Sequence, residues 1–217
     1  MSQTQKIYPT QDTVSPHTSE LYSYAVRIEL SDLPNEPRLL GSGILYCQEG
    51  VFKVFTAGHC LFIDSDDLHP VDKLAFSFAE EKSSAFKAIK ILEINKEEDY
   101  AIIEVDYAPI QYKIEDYKDS PVFIGRPFGR QTSIYGFSRT YPSGRNFEVE
   151  YVAPNTYSIK APILASGLDL EMIRGFSGAG VYTKFGDRIF CEGFIKSKFE
   201  SSERLEEIVV GKIPDLG

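Results

Sequence analysis

The sequence predicts an all-β protein, with a pair of barrels as the architecture that fits its length, and three observations carry that expectation. Thirteen Tyr and fifteen Phe stand beside a generous supply of Val and Ile in a chain of 217 residues; these side chains suit a pleated, half-buried surface. Sixteen Gly and twelve Pro are spread along the chain, punctuating it into short pieces. Runs of β-branched and aromatic residues recur at short, regular intervals with turn residues between them, the pattern of a sandwich or barrel. With 42% hydrophobic residues, such a chain can bury a full core.

Taken in order, residues 1–20 hold Gln, Thr, Ser, Pro and Asp with few apolar side chains and are expected to form a flexible polar leader. Candidate strands follow: "YSYAVRIEL", "LLGSGILYC", "VFKVFTA", "KLAFSFA", "FKAIKILEI" and "YAIIEVD". The polar stretch "YKIEDYKDSP" then divides the chain, giving an N-terminal barrel over 21–115 and a C-terminal barrel over 116–217. The second half carries "TSIYGFS", "FEVEYVA", "TYSIKAP", "GVYTKF" and "RIFCEGFIK". The closing "EIVVGKIPDLG" does not read as a stop, which suggests one unit of a longer protein.

The net charge is −9, with 32 acidic against 23 basic residues. That balance argues against binding phosphate backbones, so nucleic acid is not an expected partner. No apolar run approaches the roughly 20 residues of a membrane helix, and the first residues lack the apolar stretch of a secretory signal. A soluble, cytoplasmic protein with no membrane partner is expected. Cys47, Cys60 and Cys191 are odd in number, so at least one thiol is unpaired within the chain. A turn at Gln48-Glu49-Gly50 would set Cys47 opposite a residue near Phe52, leaving Cys60 roughly 25 Å away, beyond disulfide reach. No CxxC or His/Cys cluster is present, so neither a metal nor any other cofactor is expected.

Three histidines are available for chemistry: His17, His59 and His69. A lone His at a strand end is more often structural than reactive. His59, however, closes the strand "VFKVFTAGHC" and is followed by Asp99 at the mouth of "DYAIIEV" and by Ser177 within "GFSGAG". Asp99 alone would pass for a turn residue, and Asp106, after the same apolar run, is the alternative carboxylate. A carboxylate beside an imidazole fixes its tautomer and stabilises the imidazolium that forms when the ring takes a proton. A Ser hydroxyl is a weak nucleophile and needs such a base. Glycines on both sides of Ser177 permit a sharp turn whose Gly175 and Ser177 N–H groups would receive an oxyanion. The plainer alternative is a hairpin tip rich in Gly and Ser.

At these residues the chain resembles the chymotrypsin-like (trypsin-like) serine peptidases. "FTAGHC" is similar to the motif around that family's catalytic His, "DYAIIEV" to its Asp strand, "GFSGAGV" to its GxSGxP motif and "GSGILY" to the strand before the His. The order His59, Asp99, Ser177 is that family's order. The resemblance implies two six-stranded antiparallel β-barrels with the site in the cleft between them. It implies His59 as base and then acid, Asp99 orienting it, Ser177 as nucleophile, and Gly175 with Ser177 as oxyanion hole. The substrate would be a protein or peptide, cleaved through an acyl-enzyme.

Departures from the pattern are informative. Secreted trypsins carry an Asp just before the nucleophile, which pairs with a new N-terminus on activation; here that residue is Phe176, so bacterial or intracellular relatives are the closer comparison. Gly180 replaces the usual Pro, and Gly58 an Ala. By the same resemblance Glu171, with Asp169 nearby, would floor the specificity pocket and favour Arg or Lys before the cut. Lys196, Ser197 and Lys198 would lie on the strand that pairs with substrate, where a basic wall would favour acidic or polar residues instead. The rival to an active peptidase is a catalytically silent barrel pair that binds a peptide or protein. A third reading is a peptidase gated by a regulatory partner or fused sensor domain.

Overall fold

A computed structural model describes residues 13–14, 21, 24–31, 38–78, 85–106, 123–124, 132–153, 156–159, 174–185, 188–196 and 207–214. The strands are β1 (Thr13–Val14), β2 (Ala25–Leu30), β3 (Arg38–Gln48), β4 (Val51–Ala57), β5 (Leu74–Ser77), β6 (Phe86–Asn95), β7 (Tyr100–Val105), β8 (Phe123–Ile124), β9 (Thr132–Gly136), β10 (Arg145–Ala153), β11 (Thr156–Ile159), β12 (Gly180–Phe185), β13 (Arg188–Ile195) and β14 (Glu207–Gly211). All eleven candidate runs of the sequence contain one of them. The polar stretch 112–121, proposed as the divide, lies outside the described residues. On either side of it β7 ends the first barrel and β8 joins the second sheet.

The first barrel closes in the order β2-β3-β4-β7-β6-β5. β4 is exposed at Val51 and buried on both faces from Val54 to Ala57, the pattern of a strand covered on each side. The β3–β4 hairpin turns at Glu49-Gly50, in the "QEG" expected from the sequence, and its register sets Cys47 opposite Phe52 and Gln48 opposite Val51. Both turn residues have positive φ, 54° at Glu49 and 78° at Gly50, the type I′ geometry that suits twisted strands and favours Asn before Gly. Glu49→Asn is therefore expected to raise the unfolding free energy by about 1 kcal/mol, the scale of the left-handed penalty for a residue with an ordinary side chain. Denaturant titration of the two proteins checks it.

The second sheet runs β1-β12-β9-β10-β11-β14-β13-β8, and β12 also pairs with β13. Six strands thereby form a ring, to which β1 and β8 are added. All its pairings are antiparallel except β8 with β13. Three of these strands were not expected. Thr13–Val14 lies in the supposed flexible leader yet pairs with β12, β8 is only two residues long, and "EIVVG" of the closing segment is β14, between β11 and β13.

The barrels pack through large side chains: the Phe55 ring meets Phe194 edge-on at 4.9 Å between centroids, which favours a fixed rather than sliding contact. Every residue of β2 is buried, because its second face lies under the other barrel. There Arg27, paired with Glu29, donates from Nη1 to the Pro142 carbonyl at 3.0 Å. A buried guanidinium is tolerated only with such partners.

Candidate active site

His59 sits in a single 3-10 turn, Gly58–Leu61, that follows β4 directly. The turn is tied to the start of β7, where Gly58 N donates to the Asp99 carbonyl at 3.0 Å. The closeness explains the Gly in place of Ala: a β-carbon on Gly58 would lie 3.2 Å from the Tyr100 backbone. Asp99 then holds His59 through its carboxylate. Oδ1 accepts His59 N at 2.9 Å, and Oδ2 lies 2.9 Å from Nδ1. A carboxylate can only accept, so the Nδ1 proton points to Asp99 and Nε2 is the nitrogen left for other work. Asp99 has φ of 55°, a left-handed conformation that Asp tolerates better than most residues. Asp106 stands beyond the other end of β7, its amide bonded to the Lys87 carbonyl. The carboxylate that meets His59 is Asp99.

His69 is a buried residue whose amide donates to the Leu61 carbonyl, and His17 lies outside the described residues. Burial by itself depresses the His59 pKa, but the hydrogen bond to Asp99, with the adjacent Cys60 thiol, outweighs it and raises the pKa to about 10. Asp99 moves the opposite way: burial would raise its pKa, and the hydrogen bond and charge of His59 lower it overall, with Lys196 adding to the effect.

Ser177 belongs to the turn over residues 174–179, between Gly175 with φ of 112° and Gly178 with φ of 84°. Gly178 N donates to the Ile195 carbonyl, Ala179 N to Phe176, and Ile195 N to Ala179, each at 2.8 Å, which stitches the turn to β13. Phe176, where secreted trypsins have Asp, is buried against Phe147 with ring centroids 5.4 Å apart. An apolar anchor in the second barrel's core thus occupies the place of the ion pair. Gly178 is pressed against the first barrel, where a β-carbon would fall 2.2 Å from the Ser42 carbonyl and 2.3 Å from Thr56 Oγ1. Gly178→Ala is expected to destabilise the protein by about 3 kcal/mol or more, since strain at positive φ and a backbone clash add; thermal or denaturant unfolding measures it.

The two halves of the site meet at Cys60. Its Sγ is 3.8 Å from His59 Nε2 and 3.7 Å from the Ser177 carbonyl. The Ser177 hydroxyl has no hydrogen-bond partner among the described residues, nor do the Gly175 and Ser177 amides donate to any of them. Such contacts often tighten only with substrate bound. All three cysteines are free thiols.

Lys196 follows β13 but reaches back to the first barrel, its Nζ 3.2 Å from Glu98 Oε2, next to Asp99 in sequence. Its ammonium is engaged beside the His59 pair. Glu171, Asp169, Ser197 and Lys198 lie outside the described residues. Ser42 and Cys60 went unnoticed as site residues in the sequence, although the "GSG" and "GHC" that contain them were visible. Among the described residues no helix is long and apolar enough to cross a membrane, and no group of three or more His, Cys, Asp or Glu could hold a metal ion.

No family model matches the chain, and no curated protein matches its sequence. Among solved structures it is similar to one described as the crystal structure of a thermostable serine protease AL20 from an extremophilic microorganism. The TM-score is 0.57 and the identity 15%, over 88% of this chain and 91% of that one. At that identity the likeness is one of fold: this chain has the double-barrel architecture found in a serine protease.

Proposed function

We propose that the chain is a serine endopeptidase. The observation that supports this most is the His59–Asp99 pair, with Nδ1 against the carboxylate at 2.9 Å and Nε2 3.8 Å from Cys60 Sγ, which itself lies 3.7 Å from the Ser177 carbonyl. Ser177 Oγ attacks a peptide carbonyl while His59 Nε2 takes its proton. Asp99 keeps the ring oriented and balances the imidazolium, and the unspent Gly175 and Ser177 amides receive the oxyanion. His59 returns the proton to the leaving amine, and water, activated by the same ring, releases the acyl group. Substrates are proteins or peptides. Glu171 is proposed to favour Arg or Lys before the cut, and the engagement of Lys196 with Glu98 leaves the opposing basic wall to Lys198. The odd thiol count agrees with a reducing, cytoplasmic setting.

A fluorophosphonate probe tests the reading. Labelling of the wild type, lost in Ser177→Ala and His59→Ala, is the expected result. No labelling of a well-folded wild type would favour the silent binding module or a peptidase gated by a partner. The contact of Nε2 with Cys60 Sγ at 3.8 Å, with no bond to the Ser177 hydroxyl, is what speaks for those alternatives.

A further inference from the structure

Ser42 is fully buried in β3, yet its amide and its hydroxyl are both used across the boundary between the barrels. Its amide donates to the Ser177 carbonyl at 2.8 Å. Its hydroxyl donates to the Gly175 carbonyl at 2.8 Å and accepts from Phe137 N at 2.9 Å. The direction of the hydroxyl proton follows from these partners, because Phe137 N can only donate and a carbonyl can only accept. Its own carbonyl accepts from Thr56 Oγ1 at 2.7 Å. One residue of the first barrel thus grips the carbonyls on either side of Phe176, holding both peptide planes that flank the Ser177 N–H.

The grip matters because of what it holds. Gly175, at φ of 112°, has no β-carbon to restrict it, so its peptide has other orientations open unless something fixes the carbonyl. No ion pair to Phe176 is available to do so. The Phe176 ring anchors the turn from below in the second barrel, but a ring packed among hydrocarbon does not choose which way a neighbouring carbonyl points. A hydrogen bond does.

Resting on the peptidase reading, we infer that Ser42 is a positioning residue: its hydroxyl locks the Gly175–Phe176 peptide so that the turn is ordered without an activating ion pair. Preorganised donors act on developing charge only while they are aimed at it. Loss of the lock therefore lowers turnover and leaves ground-state binding of the peptide alone.

The test compares wild type with Ser42→Ala, Ser42→Cys and Ser42→Thr, using cleavage of a peptide substrate, fluorophosphonate labelling and amide hydrogen exchange. Ser42→Ala is expected to lose about 100-fold in kcat with KM within a factor of two, comparable to removal of one oxyanion donor. The labelling rate should fall in parallel, and residues 174–179 should exchange faster while the barrel strands do not change. Ser42→Thr, which keeps a hydroxyl, should recover most of the loss. Wild-type kcat and unchanged exchange in Ser42→Ala would overturn the inference, as would a loss carried by KM alone. Should Ser42→Ala fail to fold, Ser42→Cys decides: a reduced kcat at unchanged KM supports the lock, and a wild-type rate overturns it. A wild type that neither labels nor cleaves overturns the peptidase reading instead, and the exchange comparison still tells whether the hydroxyl orders the turn.

Discussion

Ser177→Ala is expected to lower kcat/KM for any peptide the protein cleaves by on the order of 10⁴- to 10⁶-fold, with stability nearly unchanged. The size follows from mechanism: without the oxygen no acyl-enzyme forms, and only binding and the oxyanion donors remain to assist water. Stability should hold because Ser177 anchors its turn through its backbone carbonyl, bonded to Ser42 N at 2.8 Å, and its hydroxyl has no partner among the described residues. His59→Ala should match this loss, and the double variant should add little, since the residues act as one unit. Steady-state kinetics and unfolding curves on the same preparations measure both. Activity that survives in Ser177→Ala would move the nucleophile elsewhere, with the neighbouring Cys60 thiol the first residue to replace.

The second large effect concerns pH. With its pKa raised to about 10 by the bond to Asp99, the His59 ring holds a second proton more tightly than a free imidazole, and the neutral form that can accept the serine proton gains as pH rises. The acid limb of the kcat/KM profile should therefore lie above pH 7, activity climbing as the ring deprotonates. Asp99→Asn removes the strongest of the causes that raise it and should bring the limb down toward the usual imidazole value of 6.5. It should also cost about 10⁴-fold in kcat, because an amide N–H facing Nδ1 favours the tautomer with the proton on Nε2. A limb that does not move in Asp99→Asn would mean that the carboxylate does not control the ring.

The same pair has an opposite consequence for stability. The His59 contribution is complete below the unfolded value of 6.5 and is lost as pH rises through about 10. The Asp99 contribution, from a lowered pKa, is complete above 3.8 and is lost as pH falls below it. The pair therefore stabilises most between those unfolded values, while turnover needs the ring neutral. Rising pH trades part of the fold's support for a competent base.

The elements most readable from the sequence were those whose composition and turn chemistry agree. β3 and β4 are apolar, β-branched and aromatic runs on either side of "QEG", and the positive φ of Glu49 and Gly50 is the local conformation that such a hairpin requires. β1, β8 and β14 were not readable. Two of them have only two residues, too few to show any period, and β14 is fixed between its neighbour β13 and the more distant β11. Lys196 illustrates a different limit. It was assigned to a substrate-facing wall by resemblance, yet its four-carbon stem reaches Glu98 on the other barrel, which no spacing within its own strand reveals.

For the site, the sequence by itself determined which chemistry is available: one His closing a strand, one Asp opening another, and one Ser between glycines, in an order shared with a peptidase family. It also determined that no trypsin-like ion pair to the residue before Ser177 exists, since Phe176 has no charge. Only the tertiary structure decided what takes that role. Phe176 is buried on Phe147, and the Gly175 and Ser177 carbonyls are held by Ser42, a residue of a different barrel. The physical reason is that side-chain type sets reactivity locally, whereas the aim of a peptide plane is set by whichever hydrogen-bonding group the fold brings to within 3 Å of it, and that partner is distant in the chain.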